Sequence, residues 1–144
     1  MKKAHAIPHL FAILLLFIGC YNSAFSQGKL KVILDADTGN EVDDLFAVVR
    51  VLLEPSWEVT ALNATHWQTS QWAIEQTMEN SYRLNAVLAG YLQHDVKQRR
   101  GGVARMFDWG DKAQHSAAAY EIIKQAQALP ADEKLTVIAL GALT

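Results

Sequence analysis

The chain has 144 residues, 51% of them apolar and 19% charged, with 13 Lys and Arg against 15 Asp and Glu. That length suits one domain or part of a larger one, and the apolar share is enough to build a core, which excludes wholesale disorder. Near-neutral charge without a basic stripe argues against a nucleic-acid partner held by counterion release. The one basic cluster, Lys97-Gln98-Arg99-Arg100, reads as a solvated loop.

In chain order, the first feature is a leader. Met1-Lys2-Lys3 supplies a positive start, Leu10 to Gly19 is an unbroken apolar run, and small and polar residues follow from Cys20 to Gln27. This is the layout of a secretory signal peptide, with an apolar run too short to span a bilayer as a helix. Ala24-Phe25-Ser26 places small residues for cleavage before Gln27, so residues 1–26 read as the signal peptide and 27–144 as the exported part. The alternative is a lipobox at Phe17-Ile18-Gly19-Cys20, which would leave Cys20 lipidated and the protein membrane-tethered. Phe17 fits that poorly, since leucine is usual there. Cys20 is the single cysteine, so the exported chain carries no internal disulfide. The expected location is periplasmic or secreted, with membrane attachment only through Cys20.

Next, Leu30 to Leu34 is a β-rich run ending on Asp35 and predicts a buried strand. Val42, Leu45, Phe46, Val49, Leu52 and Leu53 repeat at i, i+3, i+4 spacing and predict one apolar helical face, stopped by Pro55. Glu58 to Leu62 predicts a second strand. Leu84, Val87, Leu88, Tyr91 and Leu92 mark a helix expected to begin near Ser70. Gln93 to Lys112 reads as irregular. Ala119, Ile122, Ile123 and Ala126 predict a helix ended by Pro130, and Leu135 to Leu140 a last strand broken by Gly141. This alternation predicts an α/β fold: an open, mostly parallel, Rossmann-like sheet with helices on both faces. Because the chain stops just after a strand, with Val137, Ile138 and Leu140 expected to face solvent, it reads as the N-terminal portion of a longer domain.

In such sheets ligands sit beyond the carboxyl ends of the strands. The segment Asp35-Ala36-Asp37-Thr38-Gly39-Asn40-Glu41-Val42-Asp43-Asp44 packs five carboxylates between a strand and a helix. Like charges this close raise one another's pKa, and a hard divalent cation resolves the conflict. Plain helix capping, with Asn40 as N-cap and acids favoured by the dipole, accounts for Glu41, Asp43 and Asp44. It leaves Asp35 and Asp37, on the strand end, without a reason. A metal or catalytic site is the better reading.

Three motifs can be tried on these letters. An EF-hand loop starting at Asp35 needs glycine at Asn40 and glutamate at Phe46, so it fails. The run Val32 to Thr38 is similar to the D-x-D-x-T strand end of haloacid-dehalogenase-like phosphatases, which would make Asp35 the nucleophile and Asp37 the acid/base. A wider match is carried by Ile33-Leu34-Asp35-Ala36-Asp37-Thr38-Gly39 with Asp43-Asp44-Leu45-Phe46-Ala47, by Glu75 to Asn80, and by Thr136 to Thr144. In order, these resemble blocks of the inosine–uridine-preferring nucleoside hydrolase family. Three residues between Gly39 and Asp43 stand where better-known members have one, and Ala142 replaces a usual proline.

The resemblance implies calcium-dependent hydrolysis of the N-glycosidic bond of ribonucleosides, giving ribose and free base. It assigns Asp37 as general base and calcium ligand, Asp44 as calcium ligand, and Asp43 as a group binding ribose hydroxyls. It also gives the Thr144 carbonyl to calcium and places Asp35 behind the site as support. Trp67 and Gln68, after the second strand, stand where the family places sugar or base contacts; His66 is their neighbour. The partner is then a small nucleoside or related ribosyl compound, and self-association is open to the chain. Since family domains are about twice this long, the chain alone is expected to have little turnover. The rival from another class is a non-catalytic remnant that binds metal or sugar weakly. His94 and His115 read as surface or capping residues, and Trp57, Trp72 and Trp109 as packing. Arg99-Arg100-Gly101-Gly102 is a loop near the site mouth at most.

Overall fold

A computed structural model describes residues 28–68, 73–106 and 110–143. The expected leader with Cys20 and Ser26, the expected helix start at Ser70, Trp72, Trp109 and Thr144 lie outside the described residues. Four strands, β1 (Leu30–Ala36), β2 (Trp57–Ala64), β3 (Gln98–Arg100) and β4 (Thr136–Ala139), alternate with three helices. These are α1 (Asp43–Leu52), α2 (Thr77–Tyr91) and α3 (Ala117–Ala128). The sheet is wholly parallel with order β3-β2-β1-β4. The chain winds outward from β1 to β3, then crosses back to lay β4 on the other side of β1. That reversal puts the switch point between the ends of β1 and β4, where α/β folds of this kind bind ligands.

Alternation along the strands sorts the residues between two faces. Leu34 and Leu62 are fully buried and pack on Val48, Val51 and Leu52 of α1 and Ala89 of α2. Each such side chain contributes about 1.5–3 kcal/mol of burial. On the other face Arg99 reaches Glu121 of α3, so helices cover both sides. Thr60 is the extra residue of a bulge between the Val32 and Ile33 registers, and its hydroxyl lies 3.1 Å from the Val32 carbonyl.

Several expectations need correction. The core face of α1 is Asp44, Val48, Val51 and Leu52, whereas Phe46 is 73% exposed and Val42 and Leu53 also face out. Periodicity found the helix but rotated it, because the buried stripe begins with a carboxylate. Helix α2 begins at Thr77, after a turn at Glu75 and Gln76. Its buried stripe is Thr77, Ser81, Asn85 and Ala89, largely polar, while Val87 and Tyr91 are exposed. The basic cluster is not a loop: Gln98–Arg100 is a strand whose charges are paired on α2 and α3. Strand β2 runs on to Ala64, two residues past its predicted end. In and after β4, Val137 and Leu140 are each 39% exposed, but Ile138 packs on the core.

Candidate functional site

The loop after β1 is fixed before it reaches α1. Asn40 N donates to the Asp37 carbonyl at 3.0 Å, and Asn40 Nδ2 donates to Asp37 Oδ2 at 3.1 Å. Asn40 therefore orients Asp37 and does not cap α1, whose N-cap is Val42 without a side-chain cap. Gly39 sits at φ +106°, and a Cβ there would meet Leu84 and Asn80 of α2 at under 3 Å. A left-handed turn pressed against a helix leaves no room for another residue. Thr38, fully buried, donates its hydroxyl to Asn85 Oδ1 at 2.6 Å and ties the loop to the polar stripe of α2.

Held this way, Asp37 and Asp44 are both buried, and their carboxyls lie in hydrogen-bonding contact. Burial pushes the Asp37 carboxyl above its ordinary range. Asp44 is pushed up to about 6, first by burial and then by the charges of Asp37 and Asp43. The pair gains a proton or a cation where two bare carboxylates would repel. Asp43 stays exposed, its Oδ1 accepting Asp44 N at 3.2 Å. Asp35 lies inside β1, accepts from Asn63 Nδ2 at 2.7 Å, and is also pushed up by burial.

Two other strand ends close on Asp37. Beyond β2, Thr65 N donates to the Ala36 carbonyl, His66 and Trp67 are buried, and Trp67 N donates to Thr77 Oγ1 at 3.0 Å. Beyond β4, Gly141 lies so near that an added Cβ would collide with Thr65 Oγ1 and come within 2.8 Å of Asp37 Cβ. A cavity of about 280 Å³ opens there, with Asp37, His66, Trp67, Gln68 and Arg105 around it and Leu140, Gly141 and Ala142 opposite in sequence. A larger groove, about 890 Å³, lies at the other ends of the strands; Lys31 and Lys97 in it are paired with Glu133 and Glu121. It contains none of the candidate residues.

The structure thus brings Asp37, Trp67 and Gln68 into the wall of one cavity, with Asp44 against Asp37 but outside the lining, Asp43 exposed on the first turn of α1 and Asp35 inside β1. Among the described residues, no three His, Cys, Asp or Glu side chains group as a metal shell. What the fold offers a hard cation is the oxygen pair of Asp37 and Asp44. Sequence reasoning missed Asn63, Thr65, Asn85 and Arg105. Asn85 was legible as one member of a polar stripe at helical spacing; Arg105 carried no signal. Among the described residues, Thr65 Oγ1, Trp67 Nε1, Asn63 Oδ1 and Asn85 Nδ2 are buried without a hydrogen-bond partner, unusual for polar atoms. His115, by contrast, stacks on Tyr120 at the surface.

The protein is a small Rossmann-like α/β protein with a carboxylate pair at its topological switch point. No family model, curated protein or solved structure matches the chain.

Proposed function

We propose that the cavity is the carboxylate half of a calcium-dependent centre that hydrolyses the N-glycosidic bond of ribonucleosides. The observation that carries this is the position of Asp37: it lines the cavity and touches Asp44. Asp37 and Asp44 would hold calcium, a fit supported by an adjacent, buried, all-oxygen pair that Asp43 further repels. When bound, the ion lowers the pKa of a coordinated water. Asp37 would accept a proton from the attacking water, whose oxygen bonds to the anomeric carbon. The carbon–nitrogen bond breaks with its electron pair going to the base, which collects a proton, through an oxocarbenium-like state. Asp43, exposed on the first turn of α1, with Trp67 and Gln68 in the wall, would bind and orient the sugar. Asp35, with Asn63, stiffens the strand behind Asp37.

The phosphatase reading needs Asp35 as nucleophile. The Asp35 carboxylate lies inside β1 and is held by Asn63 Nδ2, which favours the glycosidic reading. Turnover by this chain is expected to be slow, because two carboxylates fill little of a shell of about six to eight oxygens. The test incubates the chain at high concentration with purine and pyrimidine ribosides and calcium, then with a phosphate monoester and magnesium. Base release that disappears in Asp37→Asn supports the reading. Phosphate release without base release overturns it.

A further inference from the structure

Resting on that ribosyl reading, we propose that the ligand of this cavity carries a phosphate on its sugar and that Arg105 reads it. The lining carries both signs of charge, Asp37 and Arg105, around about 280 Å³. In folds of this kind a phosphate ordinarily sits on the helix N-terminus that follows the first strand. Here the first turn of α1 holds Asp43 and Asp44, whose carboxylates disfavour a phosphate on that helix end. Arg105 is a cationic side chain that lines the cavity and offers an anion a place away from α1. A guanidinium matches two phosphate oxygens with two parallel N–H donors, a geometry a neutral hydroxyl cannot use as fully.

The segment bearing Arg105 is fastened to the site. Gly101 N donates to the Ala64 carbonyl at 2.9 Å at the end of β2, and the Ala104 carbonyl accepts from Gln114 Nε2 at 2.6 Å. Between the two charges the wall offers Trp67, Leu140 and Ala142 to the carbon face of a sugar and the Gln68 amide to its hydroxyls. Sugar hydroxyls on the acidic side and an anion on Arg105 describe a phosphorylated ribosyl compound, such as a nucleoside monophosphate.

The test is calorimetric titration, with calcium present, of D-ribose, D-ribose 5-phosphate and inorganic phosphate into the wild type, Arg105→Gln and Arg105→Lys. Thermal unfolding of each variant checks that it is folded. Ribose 5-phosphate should bind at least tenfold more tightly than ribose or phosphate alone. That gap should close in Arg105→Gln, survive in part in Arg105→Lys, and shrink as salt is raised. Equal affinity for ribose and its phosphate in the wild type overturns the proposal, as does a preference that persists in Arg105→Gln. Phosphate binding as tightly as ribose 5-phosphate also overturns it, since the site is then a bare anion site. Ribose binding without a gain from phosphate leaves the ribosyl reading standing. Failure of both sugars to bind removes that reading too, and conversion of ribose 5-phosphate to ribose and phosphate returns the phosphatase in its place.

Discussion

Two buried acids in this molecule are treated in opposite ways. Glu121, on α3, is 5% exposed and is met by Lys97 at 2.9 Å, Arg99 at 3.1 Å and the Gln125 amide at 2.8 Å. Those partners, Gln125 first, hold its carboxyl down at about 2. Asp44, on α1, is 8% exposed and is met by two further carboxylates, so burial and repulsion carry it up to about 6. The first arrangement completes the charge within the fold and pins edge strand β3 to a helix. The second leaves charge for something else to complete, beside a cavity at the switch point. A buried acid held by two cations reads as structure; a buried pair pressed by a further carboxylate reads as a site.

The contrast has opposite signs in pH. Because the folded pKa of Asp44 lies above its ordinary 3.8, the folded state binds the extra proton between about pH 4 and 6. Stability of the calcium-free chain should therefore fall as pH rises through that window, by at most about 3 kcal/mol at about 1.4 kcal/mol per unit. Saturating calcium should flatten the slope. Glu121 acts the other way: its pKa is depressed, so its contribution is present above 4.5 and is lost as pH falls toward 2. Denaturant titrations across pH, with and without calcium, check both limbs, and a calcium-free chain that gains stability from pH 4 to 6 would break the comparison.

Gly141→Ala comes next. Its methyl group would meet Asp37 and Thr65, costing about 1–3 kcal/mol of overpacking, and displaced Asp37 should weaken calcium binding too. Thermal unfolding with a calcium titration separates the two effects. Glu121→Ala should cost about 1–2 kcal/mol, softened because Lys97 and Arg99 are partly solvated, and should leave calcium affinity in place. Thr38→Val removes the hydrogen bond to Asn85 for about 1 kcal/mol, measured the same way, with a smaller loss of calcium affinity than Gly141→Ala.

How far these regions were legible in the sequence differs for a physical reason. The acidic loop announced itself, since helix capping leaves Asp35 and Asp37 on the strand end without a structural use, and Asp37 and Asp44 do lie together. Parallel βαβ winding was legible from apolar strands alternating with amphipathic helices. The Glu121 cluster was invisible: β3 is three residues of Gln and Arg with no apolar alternation, and its strand character comes from Leu62 to Ala64 beside it. Phe46 misled the rotation of α1 because its buried face starts at Asp44 and an exposed phenylalanine fits the same helical spacing. Arg105 could be found only by folding the chain, since it approaches Asp37 across 68 residues of sequence.

The central claim is that Asp37 and Asp44 form an oxygen pair awaiting a hard cation. Calorimetric titration of calcium into the wild type and Asp44→Ala tests it most directly. The account predicts saturable binding in the wild type and a loss of at least tenfold in affinity, about 1.4 kcal/mol, in the variant. Equal affinity in the two proteins would contradict it.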